Sequence, residues 1–275
     1  MSVQAMGEAG YSLQPRARGA LRLSSKARGA ASVLDDLYMS GALRAVFPGG
    51  DALQAVLVNT AGGITGGDTF DIAATAGRGT TLTLTTQAAE RAYRAQPGEV
   101  GTLRTRLEVE EGARLDWLPQ ETILFDGCHL DRALDVDLAE DARLLIVEPM
   151  IWGRTAMGET RVTGTMRERI HIRRGGALLY ADQWRMDGDL TAQMDRPAVG
   201  GGARAMASVL YVGPDAEARR DALRPLLGPA GGLSLRSPSL LVGRLLAPGG
   251  YDLRKALIPL LTRLHDAPMP TPWRL

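Results

Sequence analysis

Thiols are almost missing from this chain. Cys128 is the only cysteine among 275 residues, which excludes an internal disulfide and any multi-thiolate metal site. Lysine is nearly as scarce. Lys26 and Lys255 stand among 32 basic residues, so a Schiff-base or lysine nucleophile has few candidates. The three histidines, His129, His171 and His265, show no H-x-x-x-H spacing, and no C-x-x-C exists. Cys128 and His129 are adjacent, and neighbours on a strand face opposite sides. Each histidine is therefore read as a surface or hydrogen-bonded residue. No G-x-S-x-G elbow is present, and nothing in sequence accompanies Cys128 as a nucleophile's partner beyond His129. Aromatic residues make up 5% of the chain, too few for many sugar-stacking platforms. A net charge of +1 gives no electrostatic reason to expect nucleic acid or an anionic membrane. No run approaches the roughly 20 apolar residues that span a bilayer. The first residues lack an apolar signal-type segment, so the expectation is a soluble cytoplasmic protein.

What is present is glycine in an unusual arrangement. Two pairs, Gly62-Gly63 and Gly66-Gly67, sit just before Asp68. An apolar run, Ala55 to Val58, precedes them, and an alternating stretch, Phe70, Ile72 and Ala74, follows. A phosphate cradle would need a helix after the loop and usually a lysine. This loop runs into a strand and has none, so it reads as a tightly folded turn supporting a nearby surface.

Alternation dominates the next hundred residues. Strands are expected over Thr80–Thr86, around Leu103, Leu107 and Val109, around Leu115 and Trp117, at Ile123–Phe125, and around Leu134, Val136 and Leu138. Leu144 to Val147 is a continuous apolar run, expected to be a strand buried on both faces. Thr160–Arg173 and Ala177–Trp184 read as a hairpin closed at Gly175-Gly176. Glycine or acidic turns followed by short strands recur at a spacing of roughly 30 residues, which suggests coiled β layers. The fold class is mainly β, a layered helical, solenoid-like arrangement of short strands with a few helices, mostly C-terminal. Asp215 is a plausible N-cap for a helix over Ala216–Leu223 that Pro225 should stop. Leu253, Ala256, Leu257, Leu260, Leu261 and Leu264 define a second helix face. Gly228–Pro238 reads as a connection, Pro268–Leu275 as a proline-broken tail, and Met1–Gln14 as a disordered lead-in.

Carboxylates carry the chemical interest. Glu121, Asp126 and Glu148 lie in or beside strongly apolar segments, where an unpaired charge is costly. Three readings follow: pairing with an arginine such as Arg154 or Arg161, a general acid–base pair, or a polar route for a cation that prefers oxygen ligands. A β-solenoid carbohydrate-active enzyme using Glu121 or Asp126 with Glu148 is the competing function, and a binding module without a metal role is a third.

Four segments taken together resemble the UreD family of urease accessory proteins, called UreH in some organisms. They are Asn59–Asp68, Leu84–Arg94, Gly112–Gly127 and Gly153–Glu159. The resemblance extends best from Arg18 to Asp189. Two departures are noted: Ala92 stands where many members have an aromatic, and Gln87 where many have proline. The resemblance implies one UreD-type domain over 15–275 and a scaffold rather than an enzyme. It implies docking on urease apoprotein with UreF and UreG, and delivery of nickel to the urease active site. It also implies no tightly bound cofactor, nickel in transit, and GTP only through UreG. An internal passage is part of that picture. A passage should avoid histidine and thiolate, which hold Ni²⁺ well, and use loosely binding oxygen ligands. Glu148, Glu121, Asp126, Glu159 and Asp68 are the expected lining residues. Glu148 is the expected waystation, because the run before it should bury it. The Tyr93-Arg94 corner and the tail with Trp273 are each either partner contacts or packed parts of this chain.

Overall fold

The computed structural model describes residues 15–49 and 52–274. The expected lead-in, Met1–Gln14, lies outside the described residues. The chain runs through β1 (Arg18–Arg28), β2 (Ala31–Gly41), β3 (Leu43–Val46), β4 (Leu53–Asn59), β5 (Thr69–Ala76), β6 (Thr81–Thr86) and β7 (Glu90–Ala92). It continues through β8 (Gly101–Val109), β9 (Arg114–Leu118), β10 (Thr122–Leu124), β11 (Cys128–Leu138), β12 (Arg143–Trp152), β13 (Thr163–Arg174) and β14 (Ala177–Asp189). Then come α1 (Leu190–Asp195), β15 (Ala205–Val212), α2 (Ala216–Leu223), β16 (Gly231–Ser237), β17 (Leu240–Ala247) and α3 (Gly250–Leu264).

From β5 onward the chain coils. It alternates between a seven-stranded sheet, ordered β14-β13-β11-β8-β5-β1-β2, and a ten-stranded sheet with the path β16-β17-β15-β12-β9-β6-β4-β3. The strands β1, β5, β8, β11 and β13 are parallel to their neighbours, as are β4, β6, β9 and β12. Antiparallel pairs flank both parallel cores: β1 with β2, β13 with β14, β3 with β4, and β12 with β15. This is the mainly β, solenoid-like arrangement expected from the turn spacing. The arcs between sheets stack: Gly79 N donates to Glu111 O, and Gly112 N to Asp141 Oδ1 at 2.9 Å. Both glycines sit at positive φ (67° and 65°), which an L side chain rarely adopts. The β13–β14 hairpin closes at Gly175-Gly176, both at positive φ, as a two-residue turn between right-twisted strands requires.

β12 explains how the two sheets and the helices divide the core. Leu144, Ile146 and Met150 pack between the sheets, while Leu145 and Val147 pack with α3 and Trp273 on the other face. A strand between two apolar layers needs apolar residues at every position, hence the unbroken run. Helix α3 contributes Leu253, Leu257, Leu260, Leu261 and Leu264 to that second layer, as its spacing foretold. Pro259 lies inside it without ending it.

Two local expectations fail. Gly228–Pro238 contains an edge strand, β16, paired with β17. Leu233 and Leu235 alternate there with exposed Gly232, Ser234 and Arg236, a pattern masked by the glycine, serine and proline around it. Asp215 precedes α2 but makes no side-chain cap. Its carboxylate instead accepts from Tyr211 Oη and Arg219 Nε, both at 2.6 Å.

The tail packs on this chain. Trp273 is fully buried among the α3-side residues, and its Nε1 donates to Leu118 O at 2.8 Å. Arg254 lies over its ring, 5.0 Å from the centroid. Trp273→Ala should therefore destabilise by about 3–5 kcal/mol. Trp273→Phe should cost less, since it keeps most of the ring and loses mainly one hydrogen bond, about 1 kcal/mol. Urea unfolding of the two variants checks this; equal, near-zero losses would contradict it.

Candidate functional site

The parallel register builds the site. In the seven-stranded sheet, Phe70, Leu103, Arg132 and Glu168 are successive cross-strand partners, and Trp184 on β14 continues the row. Adjacent strands are about 4.8 Å apart. The row therefore sets a guanidinium beside a carboxylate, and that carboxylate beside an indole. Arg132 Nη2 pairs with Glu168 Oε1, and Trp184 Nε1 donates to Glu168 Oε2 at 2.8 Å. From the facing sheet, Glu148 presents Oε2 to Arg132 Nη1 at 3.2 Å, while Trp117 Nε1 donates to Oε1 at 2.7 Å. Arg132 Nη1 also donates to Thr122 Oγ1 at 2.7 Å.

Arg132, Glu168, Glu148, Trp117 and Thr122 line a cavity of about 230 Å³ between the sheets. Phe70, Ile72, Leu103 and Leu134 form its apolar wall, and Glu90, Gln120, Arg132, Glu148 and Glu168 its polar part. Exposed Gly62, Gln87, Ala88 and Arg91 also line it, so the cavity reaches the surface there. Burial pushes Glu148 above the ordinary glutamate range, against the pull of Arg132. Burial raises Glu90 as well, opposed first by its hydrogen bond from Asn59.

Of the acids expected to line a passage, Glu148 alone lines this cavity. Glu121 is buried and faces Arg254 Nη1 at 3.4 Å. Asp126 pairs with Arg94 and accepts from Thr163 N at 2.9 Å and Thr163 Oγ1 at 2.7 Å. The Thr163 hydrogen bond is the main cause that holds Asp126 below the usual carboxylate range. Glu159 accepts from Asp126 N at 3.1 Å, and from Arg154 N at 3.0 Å and Nε at 3.1 Å. Asp68 is buried and accepts from Ala17 N at 2.7 Å and Thr65 N at 2.8 Å, which makes it a clamp on the glycine turn. Arginine pairing thus describes Glu121, Asp126, Glu148 and Glu159. Neither Glu121 nor Asp126 lines the cavity that Glu148 lines. Among the described residues, no three His, Cys, Asp or Glu groups converge to hold a metal ion.

The glycine turn is structural. A Cβ on Gly63 would come within 2.2 Å of the Tyr93 ring, and one on Gly66 within 2.7 Å of Ala95 and Glu99. Gly62 and Gly67 have positive φ (78° and 82°). Tyr93 Oη donates to Gly62 O at 3.1 Å, its ring meets Phe125 edge-on at 5.0 Å, and Arg154 lies 4.1 Å over Phe125. The Tyr93 corner is packed within this chain. Of the histidines, His265 is buried, with Nδ1 2.5 Å from Asp116 Oδ2, and His171 Nδ1 lies 3.6 Å from Asp135. Cys128 is fully buried, and burial pushes its thiol up to about 12.

Loops from the four segments that resemble a known family bond to one another, Ile64 N to Arg91 O, Glu90 N to Glu121 O and Gly153 N to Leu124 O, and the family comparison agrees with the resemblance. The UreD urease accessory protein model matches residues 17–274. This chain belongs to the UreD family. It is similar to the urease accessory protein UreD of Roseobacter denitrificans, 53% identical over 263 residues, covering 95% of this chain and 96% of that one. It is 50% identical over 272 residues to the UreD of Ruegeria sp. strain TM1040, covering 95% and 91%. The UreD of Agrobacterium fabrum is 41% identical over 265 residues, covering 95% and 93%. Within this UreD-family chain, sequence reasoning missed Glu90, Arg132 and Glu168. Arg132 and Glu168 each interrupt an inward-facing alternation: Leu130, Leu134, Val136 in one strand, and Met166, Ile170, Ile172 in the other.

The raised Glu148 has a measurable consequence. An acid whose folded value is raised contributes stability below its unfolded value and loses it as pH rises through the folded value. Wild-type stability should therefore fall relative to Glu148→Gln as pH rises above the reference value of 4.5. Parallel stability–pH curves for the two proteins would show that Glu148 titrates normally.

Proposed function

We propose that this chain is a urease maturation factor that acts without catalysis. It serves as a chaperone and scaffold, docks on urease apoprotein together with UreF and UreG, and helps insert nickel into the urease active site. The observation that carries the maturation role is the match to the UreD family along nearly the whole chain. Among the described residues, no helix is long and apolar enough to cross a membrane. The proposed working place is the cytoplasm, where its partners would be assembled.

In this reading nickel is cargo. The cavity around Glu148 is its route, with Glu90 and Glu168 added to the lining. Glu121, Asp126, Glu159 and Asp68 hold the surrounding loops instead. Three features support the route. The cavity reaches the surface, the carboxylates of Glu90, Glu148 and Glu168 line it beside Arg91, Arg132 and Arg169, and no histidine or thiol lines it to trap a borderline-soft ion. Arg132 shares two of the carboxylates and so weakens their hold on any other cation.

Coexpression with the urease subunits and the other accessory proteins tests the reading. The wild-type chain should copurify with apo-urease and raise its nickel content. Glu148→Gln should leave that complex intact while lowering nickel per urease active site severalfold. Full loading by the variant would remove Glu148 from the route; failure of the wild-type chain to associate with urease would overturn the maturation role.

A further inference from the structure

The cavity between the sheets is balanced in charge and mixed in character. Arg91, Arg132 and Arg169 stand against Glu90, Glu148 and Glu168, so the formal charges of the lining cancel. An ion gains no net attraction here and loses hydration on entering. Much of the remaining wall is apolar and comes from both sheets, Leu43 and Leu57 on one side, Phe70, Ile72, Leu103 and Leu134 on the other. Water makes few hydrogen bonds against such a wall, which favours an occupant with an apolar body.

Two uncharged polar groups add to this lining. Gln120 is 4% exposed, and its Nε2 has no hydrogen-bond partner. A buried N–H left alone costs the fold free energy and marks a place that an acceptor can fill. Thr105 is buried as well. It is the cross-strand partner of Ile72 and of Leu134, so its hydroxyl interrupts an apolar row. The carboxylates offer the complementary half. Glu148 Oε1 already accepts from Trp117 and Glu168 Oε2 from Trp184. Each such oxygen keeps a second lone pair for an N–H of an occupant.

We propose that the cavity is a binding site for a small uncharged carboxamide with an apolar substituent. Its carbonyl accepts from Gln120 Nε2, its N–H donates to one of the cavity's carboxylates, and its substituent lies against Phe70, Ile72, Leu103 and Leu134. A carboxamide both donates and accepts, so it matches the Gln120 amide whichever end of that amide is turned inward. Space is sufficient. An engineered apolar cavity of about 150 Å³ holds benzene, and about 230 Å³ leaves space for such a ring together with one carboxamide. The way in is the exposed mouth at Gly62, Gln87, Ala88 and Arg91. This site stands without the nickel route. Occupant and ion would share one space, so a bound carboxamide would close that route.

Three probes of nearly one shape test the site: benzamide, its anionic counterpart benzoate and its cationic counterpart benzamidinium. Each is titrated into the full chain while the indole N–H signals are followed by NMR. Trp117 lines the cavity and donates to Glu148, whereas Trp273 donates to Leu118 O among the α3-side residues and serves as reference. Benzamide should shift the Trp117 signal saturably and leave Trp273 in place, and both ions should bind at least tenfold more weakly. Gln120→Met keeps the length of the side chain and removes its amide; it should weaken benzamide severalfold. Equal binding of benzamide to the wild type and to Gln120→Met would assign the missing partner of Gln120 to water and overturn the proposal. An ion that binds as well as benzamide would overturn it too, as would a benzamide titration that leaves Trp117 unmoved. Urease and nickel take no part in these titrations, so such a failure leaves the maturation role standing.

Discussion

A positive charge enclosed between two sheets has to be neutralised where it stands, and the cavity is organised around that requirement. Arg132 is buried, and its guanidinium is shared between Glu168 on its own sheet and Glu148 on the facing one. Removing one partner of a buried pair typically costs about 3–5 kcal/mol, because the remaining charge is left uncompensated. The arrangement is therefore a tie between sheets as well as a lining. Two indoles and a threonine hydroxyl complete it, so the surrounding shell is almost fully satisfied. Gln120 Nε2 and Arg169 Nε, both on residues that line the cavity, are the exceptions without a partner.

The ten-stranded sheet separates this polar interior from a second polar cluster. In β9, Trp117 faces the cavity, while Asp116, one residue earlier, faces the helices. There Asp116 meets Arg114 and His265, Arg114 also reaches Leu264 O, and Arg219 joins Asp266 to the end of α3. The period of two in a strand thus assigns neighbouring residues to unrelated tasks. One face carries the cavity, and the other fastens the C-terminal helices to the coil.

What the sequence reveals and conceals follows from the same geometry. The run Leu144 to Val147 was readable because a strand covered on both sides has no polar positions to interrupt it. That run also marked Glu148 as buried. The arcs at Gly79 and Gly112 were readable because a left-handed backbone leaves few alternatives to glycine. Arg132 and Glu168 were not singled out, since a lone charge in an alternating strand looks like a solvated position until the register shows which face is enclosed. Glu121 and Asp126 stand out as acids in apolar segments, and Glu159 enters through the family resemblance, but their partners Arg254, Arg94 and Arg154 come from contacts that the linear order does not specify for all of them. Glu159 and Arg154 are five residues apart; Glu121 and Arg254 are joined only by the docking of α3. The strand β16 was hidden by its glycines and serines, and it owes its pairing to the neighbouring β17.

Parallel coils present open rungs at both ends, and such ends are templates on which further chains can add. Here each parallel core is finished by antiparallel strands, β2 and β14 on one sheet and β3 and β15 on the other. The outer strand β2 carries Asp35 and Asp36, and β14 carries Asp182, Arg185 and Asp187, charges that discourage edge-to-edge growth. The stack consequently has a set number of storeys. Lengthening the parallel core would require a duplicated coil inserted within the chain, between the antiparallel strands that bound it.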